Sequence, residues 1–304
     1  GSLAIPGTRK ITFTGCTLDS TVIETTNGTV HVVGGVVKGQ AHLKNVFIES
    51  NVRLWANATF EGTVTVVDTL WNSGNAKDTL TINGTLTNNG SVLNDNGGLG
   101  GTISLNVSSD VTNHGRMTAG QISVAGTIEN DGIWSPTATI VAGNIYVLNN
   151  GTWGSLTTTF TGNADQYIYV DRPESEFSGN YIKSRKSSGA LIAPSDLRFK
   201  ISSSFNLSNG RLVIPGQQKV SFAGCAVDST IVETTYGKVH VIGGTIKGQA
   251  RLKNVFIEGN VRLAGNAVFE GSVTVVDTLW NAVNAKDTLI VNGTTTLKWE
   301  AFEV

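Results

Sequence analysis

The chain has 304 residues, with 22 Lys and Arg against 23 Asp and Glu, a net charge of -1 and 15% charged positions, so charge gives it no grip on nucleic acid or an anionic membrane. Its 36 glycines, 37 threonines and 27 asparagines beside a single methionine are the material of strands and turns, poor in helix formers. Hydrophobic residues make up 39%, enough for a large core, and no apolar run approaches the ~18 residues of a membrane helix.

In chain order, Gly1-Ser2 reads as a cloning scar, and residues 1–4 are taken as scar and linker, with any targeting segment expected to have been cut away. Residues 5–162 form a first β-helix repeat. Within it Val30-His31-Val32, Ala41-His42-Leu43, Val52-Arg53-Leu54 and Val64-Thr65-Val66 recur every 11 or 12 residues, or 22 to 23 for a pair. Their alternation of apolar and polar positions predicts half-buried strands. The run Ile82-Asn83-Gly84-Thr85-Leu86-Thr87-Asn88-Asn89-Gly90 is echoed by Val124-Ala125-Gly126-Thr127-Ile128-Glu129-Asn130-Asp131-Gly132, and more briefly at Val111–Met117 and Val147–Trp153. The glycines at 90, 115, 132 and 151 lie 25, 17 and 19 residues apart, which is about one turn of a solenoid. Asn-Gly corners suit turns that need positive φ.

Residues 163–213 interrupt the pattern. Tyr167, Tyr169 and Tyr181 occur there with Arg172, Lys183, Arg185, Lys186 and Arg198, and residues 171–190 are too polar and irregular to fill a core. A protruding loop is expected, with Tyr181, Lys183 and Arg185 accessible. At Ile214-Pro215-Gly216 the sequence of residues 5–85 returns at an offset of 209, with 57 of 81 positions identical. Residues 214–304 are therefore read as the start of a second repeat in the same continuous solenoid; the match fades after Thr294.

No stretch of 12 or more residues carries helical periodicity with start and stop signals, so parallel strands must be joined by turns. The expected fold is all-β, a right-handed parallel β-helix with a protruding loop insertion. An antiparallel sandwich or barrel also uses short strands and turns, yet it supplies no reason for the Asn-x-Gly echo. The Asn83–Gly90 run, its echoes through Trp153 and the long tandem unit resemble the passenger regions of secreted bacterial β-helix adhesins, of the autotransporter and filamentous-haemagglutinin type. That resemblance implies an extracellular or cell-surface, elongated and mostly non-enzymatic protein.

The rival reading is a carbohydrate-active, pectin-lyase-like β-helix enzyme, or a carbohydrate-binding module, because such enzymes gather carboxylates on one face of the coil. Here the acids are scattered, and the one close set, Asp171, Glu174 and Glu176, sits among basic residues as a solvated stretch would. His31, His42, His114 and His240 lack metal-ligand spacing; His31 and His240 are repeat equivalents. Residues 97–101, Gly-Gly-Leu-Gly-Gly, are read as a turn. Cys16 and Cys225 are repeat equivalents that cannot pair and are read as small buried apolar residues. Eight Asn-x-Ser/Thr sequons follow from turn chemistry alone. Trp71 and Trp280 share a repeat position, which favours packing, whereas Trp55 corresponds to Ala264 and is expected to be exposed. No catalytic residue, metal or cofactor is assigned. The candidate partner contacts are Trp55, Tyr167, Tyr169, Arg172, Tyr181, Lys183 and Arg185, facing a host or matrix glycan or a surface protein. Neither nucleic acid nor membrane insertion is expected.

Overall fold

The structure is a computed structural model and describes residues 1–72, 77–94, 101–172, 176–208, 210–281 and 286–298. The glycine run lies outside these residues apart from Gly101. The described residues are all-β, with no helix, and strands of successive turns pair in parallel, the architecture of a parallel β-helix. The chain divides into two compact units, Gly1–Ser155 and Leu156–Val304.

In the first unit, alternation sends every second side chain inward, and the parallel register stacks those side chains into columns. One column runs Ala58, Leu80, Leu105, Ile122. A second runs Val46, Val64, Leu86, Val111, Ile128, Ile145. A third runs Val52, Leu70, Val92, Met117, Trp134, Trp153. All are buried, and each larger aliphatic side chain withdrawn from water contributes ~1.5–3 kcal/mol. The Trp134 and Trp153 rings stack with centroids 5.3 Å apart. Trp134 Nε1 donates to Thr139 Oγ1 at 3.0 Å, and that hydroxyl lies 2.9 Å from Ser155 Oγ, so the buried indole keeps a polar partner.

At 88–90, 113–115 and 130–132 the Asn-x-Gly echo is a buried amide ladder, whereas at 149–151 Val147 takes the place beside Asn130 and Asn149 is exposed. Asn88 Nδ2 donates to Asn113 Oδ1, and Asn113 Nδ2 to Asn130 Oδ1, each at 2.6 Å, with all three side chains fully enclosed. Two residues further on, the glycines stack so closely that a Cβ on Gly115 would lie 1.9 Å from the Gly90 carbonyl oxygen. The sequence repeats Asn-x-Gly because the corner needs both an amide that can bond up and down and a residue without a side chain.

In the second unit the expected loop is corrected. Glu176–Ser184 is a strand, paired in parallel with Thr157–Phe160 on one side and Leu197–Asn206 on the other. Phe177, Ile182 and Ser184 point inward, while Tyr181 and Lys183 point out. Phe177 meets Phe199 edge-on at 5.8 Å, and Phe199 stacks on Phe222 at 5.5 Å. The stretch looked too polar for a core because only alternate residues need be apolar, and Ser178, Gly179 and Asn180 form a corner at which the register shifts. Lys186 is also buried. Its Nζ donates to the Ala164 carbonyl at 2.6 Å and to Gln166 Oε1 at 2.7 Å.

The two copies of the repeat fold alike. Asn45 and Asn254 adopt φ of 52° and 55°, and both donate from Nδ2 to a glycine carbonyl of the preceding turn, Gly28 at 3.1 Å and Gly237 at 3.2 Å. Their Oδ1 atoms lie against Gly62 and Gly271, where a Cβ would come within 2.2 and 2.5 Å. This corner sets the register that places Lys44 opposite Glu61 and Lys253 opposite Glu270.

Candidate functional site

The outward columns carry the ionisable side chains, and several of these pair with a neighbour one turn away. His31 Nδ1 lies 2.7 Å from Glu49 Oε1, its Nε2 lies 3.0 Å from Thr29 Oγ1, and its ring stacks on Phe47 at 4.6 Å. The second copy repeats the set: His240 is 3.0 Å from Glu258 and stacks on Phe256 at 4.7 Å. Here the separation suits an ion pair, but neither ring nitrogen is directed at a hydrogen-bond partner; burial holds His240 below the usual imidazole range, opposed by Glu258. Further pairs are His42 with Glu61 (2.9 Å), His114 with Asp131 (2.8 Å), Lys38 with Asp19 (3.2 Å) and Lys247 with Asp228 (3.4 Å).

Two concave sites recur at the 209-residue offset. One groove of about 610 Å³ is lined by Pro6, Glu24, Thr26, His42, Lys44 and Glu61; its counterpart, about 600 Å³, is lined by Pro215, Glu233, Thr235, Arg251, Lys253 and Glu270. Both fall in the size range of small-ligand sites. The ladder puts Glu24 and Glu61 on strands two steps apart, roughly 9.5 Å at the strand spacing, with the strand of Lys44 between them. In the second groove Arg251 bonds Glu270, and Arg211 lies 3.3 Å from Glu233.

A different surface lies on the first unit around Trp55. The outward column Val36, Arg53, Trp71, Leu93 crosses four turns, and Trp55 stands two residues beyond Arg53. The Arg53 guanidinium lies over the Trp55 ring, 4.0 Å from its centroid. Trp55 is 53% exposed. Trp71, expected to pack, instead points outward and is half-buried, and Trp280 is 43% exposed. The inward members of that strand are Leu70 and Asn72, because a repeat position fixes neither face and a one-residue change of phase exchanges them.

The other candidate contacts separate. Tyr167 and Tyr169 lie on Gln166–Val170, a strand paired with Leu191–Ile192; the Tyr169 hydroxyl donates to Asp171 at 3.2 Å, which raises its pKa. Arg172 follows and is exposed. Tyr181, Lys183 and Arg185 are exposed on or just after Glu176–Ser184, with Lys183 Nζ 4.8 Å from the Tyr181 ring centroid. These strands belong to different ladders. Of the acidic set, Asp171 is exposed, Glu174 lies outside the described residues, and Glu176 is held 2.9 Å from Lys200 and 3.6 Å from Arg198. Both cysteines are free; Cys225 is buried, with its thiol pushed up to about 12, while Cys16 is half-buried. Sequence reasoning found Trp55 but missed the grooves and Arg53, since both depend on which turn lies beside which.

Comparison with known proteins adds no family: no family model, curated protein or solved structure matches the chain.

Proposed function

We propose that the chain is a non-enzymatic β-helical segment of a large secreted or cell-surface protein, acting as an adhesin or stalk. The observation that carries this reading is the use of outward charge. His31 with Glu49, His42 with Glu61, Lys38 with Asp19 and their counterparts in the second copy are struts between turns, so groups that could do chemistry are engaged in holding the coil.

A second reading, a carbohydrate-active enzyme of the β-helix type, is favoured by the paired grooves and by Glu24, which faces solvent in the first of them. A glycan array probed with the intact chain, run beside a lyase and hydrolase screen on the same polysaccharides, separates the two. Retention without product is the expected outcome. Product release at enzymatic rates would refute the adhesin or stalk.

A further inference from the structure

We infer that Trp55 and Arg53 form a binding platform for an acidic saccharide, a sugar chain bearing carboxylate or sulfate groups, and that the second copy lacks this platform. The inference rests on the adhesive reading above and gives it a place and a ligand class. Three observations carry it. First, Trp55, which follows the strand Val52–Leu54, is 53% exposed, although an indole gains by leaving water. Second, Arg53 has no carboxylate partner among the ion pairs of the described residues, and its Nε is buried without a hydrogen-bond partner. Third, its guanidinium is already seated over the indole at 4.0 Å, so its position is fixed before any ligand arrives. The nearest acid along these columns, Asp19, is held by Lys38 at 3.2 Å.

The chemistry of such a surface is specific. A pyranose ring offers a face of C–H groups that packs against the electron-rich face of an indole, and a guanidinium donates two parallel hydrogen bonds to a carboxylate or sulfate. A neutral sugar would use only the first contact. A simple anion would use only the second.

The chain contains its own control. Arg53 and Trp71 recur as Arg262 and Trp280, Asp19 and Lys38 as Asp228 and Lys247, but Trp55 is replaced by Ala264. Arg262 is exposed, whereas Arg53 is half-buried, as expected when the covering indole is removed. One site per chain follows, and one substitution should create a second.

The test is titration calorimetry of the intact chain with three probes: oligogalacturonate, sulfated dextran oligomers and fully methyl-esterified oligogalacturonate. The first two carry the anion as carboxylate and as sulfate, and the third keeps the sugar without the charge. We expect at least one acidic probe to bind once per chain, with affinity falling as salt is raised, and the ester to bind at least tenfold more weakly. Trp55→Ala should remove binding, Arg53→Lys should weaken it several-fold, and Ala264→Trp should raise the stoichiometry towards two. Circular dichroism of each variant separates loss of binding from loss of fold, and the gain in Ala264→Trp cannot come from misfolding. Binding of neither acidic probe, equal binding of acid and ester, or full binding by folded Trp55→Ala would overturn the platform. Retention of Trp55→Ala on a glycan array would then show that the adhesive reading stands with its site elsewhere.

Discussion

At the scale of single residues, the buried polar groups are the most exposed to experiment. Lys186 is enclosed, and burial lowers its pKa against the pull of Asp165. Lys186→Met keeps the stem and removes the donor, leaving the Ala164 carbonyl without it, at about 1–3 kcal/mol for a group left unsatisfied. A clear fall in the urea midpoint is expected; an unchanged midpoint would mean that the ammonium does not anchor this corner. His240 gives a pH dependence of definite sign. Its folded pKa lies below the ordinary imidazole value of 6.5 because burial disfavours the charged ring. Between the two values the unfolded chain holds more protons, so stability rises with pH through that window, is fully present above it and is lost on acidification. Lys219, Lys238 and Glu258 are the charges that act on this ring. Urea titrations from about pH 5 to pH 7.5 should show the slope, and His240→Gln should reduce it; an equal slope in the variant would place the titrating group elsewhere.

At the scale of elements, the amide ladder holds one corner of the first unit. Asn113 accepts from Asn88 and donates to Asn130, so Asn113→Ala breaks two enclosed bonds and opens a gap, for a loss of about 3 kcal/mol. A loss below about 0.5 kcal/mol, read from the unfolding midpoint, would show that the ladder contributes little. The same corner explains how much of the fold was legible. Asn-x-Gly at 88–90, 113–115 and 130–132 repeats because each turn meets the same requirement, and that repetition survives in the sequence. The strand at Glu176–Ser184 was hidden for the opposite reason. Its inward residues are few, and its polar residues face solvent or form a corner, so its average composition is that of a loop. Trp71 shows a third limit: recurrence at Trp280 marks a position as kept without saying which way it points. The grooves and the Arg53–Trp55 contact escaped because register, not local pattern, brings their residues together.

At the scale of the whole molecule, we propose that the duplicated turns spend their surface chemistry on struts and attachment rather than on catalysis. The grooves are where that claim is most vulnerable, since Glu24 and Glu61, with Glu233 and Glu270, are the carboxylates an enzyme of this architecture would use. The direct measurement is prolonged incubation of the chain with a panel of acidic and neutral polysaccharides, following new reducing ends and the ultraviolet absorbance of unsaturated products. The parallel sample carries Glu24→Gln, Glu61→Gln, Glu233→Gln and Glu270→Gln together. No product above background is expected in either sample, with a modest fall in the thermal midpoint of the variant as the struts weaken. Product released by the native chain and abolished in the variant would contradict it and make the grooves active sites.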